Sequence, residues 1–87
     1  MGTPKPPLRV MLVDDHEVVR GGVKALLQAN DDIVVTAEAG TVRDAIDEAD
    51  RTRPDVVVMD VRLADGSGIE ATREIRARHP KTAVVML

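Results

Sequence analysis

The segment DVVVMDVRLADGSG, Asp55 to Gly68, runs four apolar residues straight into a carboxylate and then into a glycine-containing turn. Val56, Val57, Val58 and Met59 carry no polar alternation, the pattern of a strand covered on both faces. Asp60 stands at the C-terminal tip of that strand. The same arrangement occurs upstream in VMLVDDHE, Val10 to Glu17, where an apolar run ends on Asp14 and Asp15. An apolar strand that ends on an acid needs a reason, because the same position could hold another Val.

Working outward from these two stretches, the chain alternates strand and helix. Leu8 to Val13 (LRVMLV) is a short branched apolar strand. A helix then starts at Asp14 and Asp15 and runs to about Gln28. Val19, Val23 and Leu26 fall on one side of it, which predicts a buried face. Gly21 and Gly22 lie in its interior, where each costs about 1 kcal/mol relative to Ala. Asn30 to Asp32 form a turn, and Ile33 to Ala39 (IVVTAEA) a second strand. Thr41 is placed to cap the next helix, with Asp44 three residues on standing in for the Glu of a capping box. Val42, Ala45, Ile46 and Ala49 form its apolar stripe, and Thr52, Arg53 and Pro54 end it. The third strand is Asp55 to Met59. Ala64 to Ser67 reads as a loop, and Gly68 to about His79 as a helix with Ile69, Thr72, Ile75 and Arg76 at helical spacing. Pro80 stops it, with His79 at the C-terminus where positive charge is favoured. Ala83 to Leu87 (AVVML) is a fourth strand. The order βαβαβαβ predicts an α/β fold: a parallel sheet with helices on its faces and right-handed crossovers.

Composition narrows the function classes. With 87 residues, 44% of them hydrophobic and 31% charged, the chain is one small folded domain rather than a disordered segment. Residues 1–7 read as a flexible proline-containing arm and residues 8–87 as the domain. A formal charge of −3 gives no overall basic footprint for nucleic acid. The absence of cysteine excludes disulfides and thiolate metal sites. No apolar run approaches the roughly 20 residues that span a bilayer, so neither membrane nor signal segment is expected. Aromatic content is 0%, which removes the usual means of stacking on single-stranded nucleic acid.

In a parallel α/β sheet, ligands bind beyond the carboxyl ends of the strands. If the first and third strands are neighbours, Asp14, Asp15 and Asp60 converge there. Three carboxylates at close quarters repel, and a hard divalent cation relieves that repulsion. Mg2+ suits the donors: it prefers oxygen, keeps several waters, and uses one or two carboxylates plus phosphate oxygens. A phosphoryl group would then lie beside Asp60, and a carboxylate can attack it as a nucleophile.

With those residues in view, VMLVDDHEVVRGGVKALL and VVVMDVRLADGSGIEATREIRARHP resemble the receiver domain of two-component response regulators, over essentially Leu8 to Leu87. Within that family the likeness is to the LuxR/FixJ-type branch, whose members carry a helix-turn-helix output domain. The resemblance implies a flavodoxin-like fold with strand order 2-1-3-4-5. It implies Asp60 as the phosphoacceptor and Asp14, Asp15, Asp60 and the backbone carbonyl of Arg62 as Mg2+ ligands, Asp14 mainly through water. It also implies a sensor histidine kinase as phosphodonor and a cytoplasmic location. Such domains catalyse their own phosphorylation and dephosphorylation, so a conventional enzyme is not implied. DNA would be reached only through an output domain absent from this chain. The family commonly has proline where Ala64 stands, which makes this loop less constrained. Its switch Ser or Thr would follow Leu87 directly, and its fifth strand would bring a phosphate-binding lysine and a switch aromatic. Against that pattern the chain reads as truncated after the fourth strand, with weak phosphorylation or none.

Other readings of the same residues remain open at this level. Asp15 can be an N-cap, and Asp14 or Asp60 a turn acid. His16 reads as an exposed first-turn residue. Asp65 to Gly68 lacks the lysine and glycine spacing of a P-loop. REIRARH, Arg73 to His79, reads as a solvated helix face. An Asp-nucleophile hydrolase needs a second acid two residues after the nucleophile, where this chain has Arg62. A structural, self-associating module is the alternative function, dimerising through the exposed edge of the fourth strand.

Overall fold

The computed structural model describes residues 5–87. Its elements are β1 (Leu8–Val13), α1 (Glu17–Gln28), β2 (Ile33–Ala39), α2 (Val42–Thr52), β3 (Val56–Met59), β4 (Arg62–Leu63), β5 (Gly66–Ser67), α3 (Gly68–Arg78) and β6 (Ala83–Met86). Four strands form one sheet in the order β2-β1-β3-β6, and every pairing in it is parallel. This is the α/β architecture expected, with β1 and β3 adjacent. Of the arm expected over residues 1–7, residues 1–4 lie outside the described residues, and Lys5, Pro6 and Pro7 are exposed and without regular structure.

Strand alternation divides the apolar residues between two faces. Met11, Val13, Ala37, Ala39, Val57 and Met59 point to one side, where Ala45 and Ala49 of α2 and Ala71 and Ile75 of α3 close the core over them. Small alanines let both helices lie close to the sheet. On α3 the buried positions are Gly68, Ala71 and Ile75. The expected stripe is therefore rotated, with Ile75 kept and Ile69 and Arg76 exposed. On the other face Val10 and Leu12 are buried beneath α1.

Three expectations are corrected. The first helix begins at Glu17, not at Asp14, because an Asp14 carboxylate oxygen accepts the N–H of His16 at 2.8 Å and turns the chain, leaving His16 extended at the N-cap. The apolar face of α1 is not buried. Val19 is 51% and Leu26 78% exposed, since α1 is the one helix on its side of the sheet among the described residues, and of its larger apolar residues Val23 and Leu27 are the ones partly covered. Finally, the segment after Asp60 is not an open loop. Arg62 pairs with Ser67 and Leu63 with Gly66 in a small antiparallel hairpin, and Leu63 anchors it in the core.

Thr41 caps α2 as expected, its Oγ1 accepting the N–H of Asp44 at 3.0 Å. Ser67 does the same for α3 through the N–H of Ile69 at 3.1 Å.

Candidate functional site

The sheet register assembles the site. Val13 is paired with Met59, so the next residues, Asp14 and Asp60, leave adjacent parallel strands side by side. The N–H of Asp60 donates to the carbonyl of Val13 at 2.9 Å, and that of Asp14 to Ala39 at 3.0 Å. Both acids are thus fixed through their main chains at the strand tips. Ligand atoms of Asp14, Asp15, His16 and Asp60 all lie within 4.8 Å of one another. Asp14 and Asp60 are half-buried; Asp15 and His16 are exposed. The late start of α1 frees Asp15 from capping duty, which removes that competing reading.

His16 was expected to be a bystander, but its Nδ1 lies 3.0 Å from a carboxylate oxygen of Asp14 and 3.0 Å from one of Asp15. The hydrogen bond to Asp14, then the charge of Asp15, raises the imidazole pKa above its usual value. When protonated, the ring is a local countercharge for two of the three acids. Arg62 is exposed in β4, and its N–H donates weakly to Asp60 at 3.3 Å.

Two supporting residues were not given these roles from sequence, Asp65 having been considered only within a rejected phosphate cradle. Arg20, on the sheet side of α1, donates from Nη1 to the main-chain carbonyl of Asp14 at 2.6 Å and from Nε to Glu38 at 3.1 Å. Its signal in the sequence is a cation one helical turn before Val23, at a position spaced for the sheet-facing side. Asp65 spans from the hairpin to α2 by hydrogen bonds to the N–H groups of Val42 and Arg43. Nothing in the local sequence distinguishes it from an ordinary turn acid.

The donor set fits a hard divalent cation. Three carboxylates offer oxygen, two strand tips hold the main chain of their acids, and the pocket is open to the water that Mg2+ retains. His16 is the only nitrogen donor in the group and is engaged with Asp14 and Asp15.

Fold and pocket together define a parallel α/β domain with an acidic cluster at its strand tips whose donors could hold a cation. The chain matches the response regulator receiver domain over residues 10–87. It is 48% identical over 80 residues to the DNA-binding transcriptional activator DevR/DosR of Mycobacterium tuberculosis, an alignment covering 92% of this chain and 37% of that protein. It is 41% identical over 81 residues to the response regulator protein VraR of Staphylococcus saprophyticus, covering 93% and 39%. Among solved structures, a two-component response regulator of the LuxR family from Aurantimonas sp. superposes with a TM-score of 0.87 at 40% identity, covering 92% of this chain and 57% of that one. The chain belongs to the response regulator receiver domain family. It spans well under half the length of the curated relatives it matches. Receiver domains of this family bind Mg2+ at an acidic pocket and act as phosphoacceptors, and the flavodoxin-like fold implied by the sequence is the one found.

Proposed function

We propose that this chain is the phosphoacceptor unit of a cytoplasmic two-component response regulator. Asp60 is the nucleophile: one of its carboxylate oxygens bonds to phosphorus while the bond from phosphorus to a kinase histidine nitrogen breaks, and that nitrogen keeps the electron pair. Asp14, Asp15, Asp60 and the main-chain carbonyl of Arg62 hold Mg2+. When bound, Mg2+ offsets charge on the transferring group. Arg20 keeps the Asp14 main chain in place during this step. Contact with DNA belongs to an output domain outside residues 1–87, and the phosphodonor is a sensor histidine kinase.

The observation that carries this reading is the meeting of Asp14, Asp15 and Asp60 at the tips of adjacent strands. It is tested with radiolabelled acetyl phosphate and Mg2+. Label that requires Mg2+ and disappears in Asp60→Asn is expected; label that survives the substitution refutes the assignment.

A second reading rests on a separate observation. β6 is an edge strand; Val85 on it is 50% exposed and Leu87, just after it, 68%. An apolar edge with free N–H and C=O groups invites a partner strand. A homodimer through β6 is the form this takes. Sedimentation equilibrium reads it: a folded monomer at high concentration would rule it out.

A further inference from the structure

Asp65 sits at the tip of the β4–β5 hairpin and reaches away from it. One carboxylate oxygen accepts the N–H of Val42 at 2.6 Å, the other that of Arg43 at 3.2 Å. Thr41 takes the next free amide, that of Asp44, at 3.0 Å. The first turn of α2 is therefore satisfied by two sources: its own cap residue, and a carboxylate from a distant hairpin. A charged acceptor on helix amides is stronger than a neutral one, and the positive end of the helix dipole adds to it. The same amides, that of Val42 foremost, hold the Asp65 carboxyl below the usual carboxylate range.

The hairpin that Asp65 closes leads directly out of Asp60. Its base is fixed by the N–H of Gly68 on the carbonyl of Val61 at 2.7 Å, and its middle by Leu63 in the core. Its tip consists of Ala64, exposed and free in its backbone angles, and Asp65. Arg62 lies between base and tip. A hairpin with two paired positions has little stability of its own.

We infer that Asp65 is a positioning residue for the acidic pocket: by clamping the hairpin tip to the N-terminus of α2 it fixes the Arg62 main chain relative to Asp60. This rests on the reading of the pocket as an Mg2+ site with the Arg62 carbonyl among its ligands. Linkage makes the effect reciprocal, so cation binding tightens the clamp.

The test titrates Mg2+ alone into wild type, Asp65→Ala, Asp65→Asn and Thr41→Ala by calorimetry, and follows amide exchange of Val42 and Arg43 by NMR. Asp65→Ala should weaken Mg2+ binding roughly tenfold, in the manner of groups that orient metal ligands. Asp65→Asn, which keeps one acceptor, should fall between. Thr41→Ala loosens the same helix turn without touching the hairpin and should leave Mg2+ affinity unchanged. In wild type, Mg2+ should slow exchange at Val42 and Arg43. Asp65→Ala binding within about twofold of wild type overturns the inference, as does Thr41→Ala weakening binding equally. If Asp65→Ala fails to fold, Asp65→Asn and the wild-type exchange rates still decide. A wild type that binds no Mg2+ overturns the pocket reading itself, a result distinct from the failure of Asp65 alone.

Discussion

At Gly68 a single hydrogen atom keeps the pocket floor in place. A Cβ there would stand 1.9 Å from the carbonyl oxygen of Asp60 and 3.0 Å from Met59 Cγ. The obstacle is main chain, so it cannot swing aside as a side chain would. Gly68→Ala should therefore destabilise the domain by about 1–3 kcal/mol, the range for forced overpacking, measurable as a lowered urea midpoint. Because the displaced backbone is that of Asp60, Mg2+ binding should fall with it. From sequence, Gly68 was legible only as the end of a turn and the start of a helix. Its real constraint comes from α3 pressing onto the β3 tip, a contact between elements that local sequence does not encode. The acids were legible for the opposite reason. Asp14 and Asp60 each follow an apolar strand directly, and strand tips in a parallel sheet share one edge, so two local patterns and one fold rule place them together. His16 and Arg20 escaped because their roles depend on how α1 enters and lies on the sheet.

Among the elements, α1 departs most from its sequence pattern. Its period was read correctly, yet no residue of it is buried. Periodicity reports which side of a helix is apolar and leaves open how much of that side the neighbours cover. The β4–β5 hairpin was missed because two-residue strands are too short to show alternation. The exposure of α1 has a consequence for its glycines. A Cβ at Gly21 or Gly22 meets nothing within 4 Å. Neither glycine is needed for a close approach, and both are helical and exposed. Gly22→Ala should raise stability by about 0.5–1 kcal/mol, since Ala loses less backbone freedom on folding, with a matching rise in urea midpoint. A neutral or negative effect would mean that α1 is frayed at this turn. The substitution lies on the side of α1 away from Asp14, so Mg2+ affinity serves as the control.

For the whole molecule, the weak burial of α1 shifts its attachment to polar contacts. Glu38 on β2 accepts from Lys24 at 3.0 Å and from Arg20 at 3.1 Å, and Arg20 continues to the carbonyl of Asp14. One carboxylate thus joins helix, sheet and pocket. The hydrogen bond from Lys24, followed by that from Arg20, lowers the Glu38 pKa below its ordinary value. A folded-state pKa below the unfolded one means that the ionised form is the stabilising form. That contribution is complete above the unfolded value of about 4.3 and disappears as pH falls through the lower folded value. Glu38→Gln, compared with wild type in urea melts from pH 7 to pH 3, should show a constant deficit down to about pH 5 that closes at lower pH. The pair is partly exposed, so the deficit should stay within about 1 kcal/mol and shrink in high salt. A deficit that persisted at pH 3 would instead assign Glu38 a packing role, and the attachment of α1 would then rest on Val23, Leu27 and the sheet beneath them.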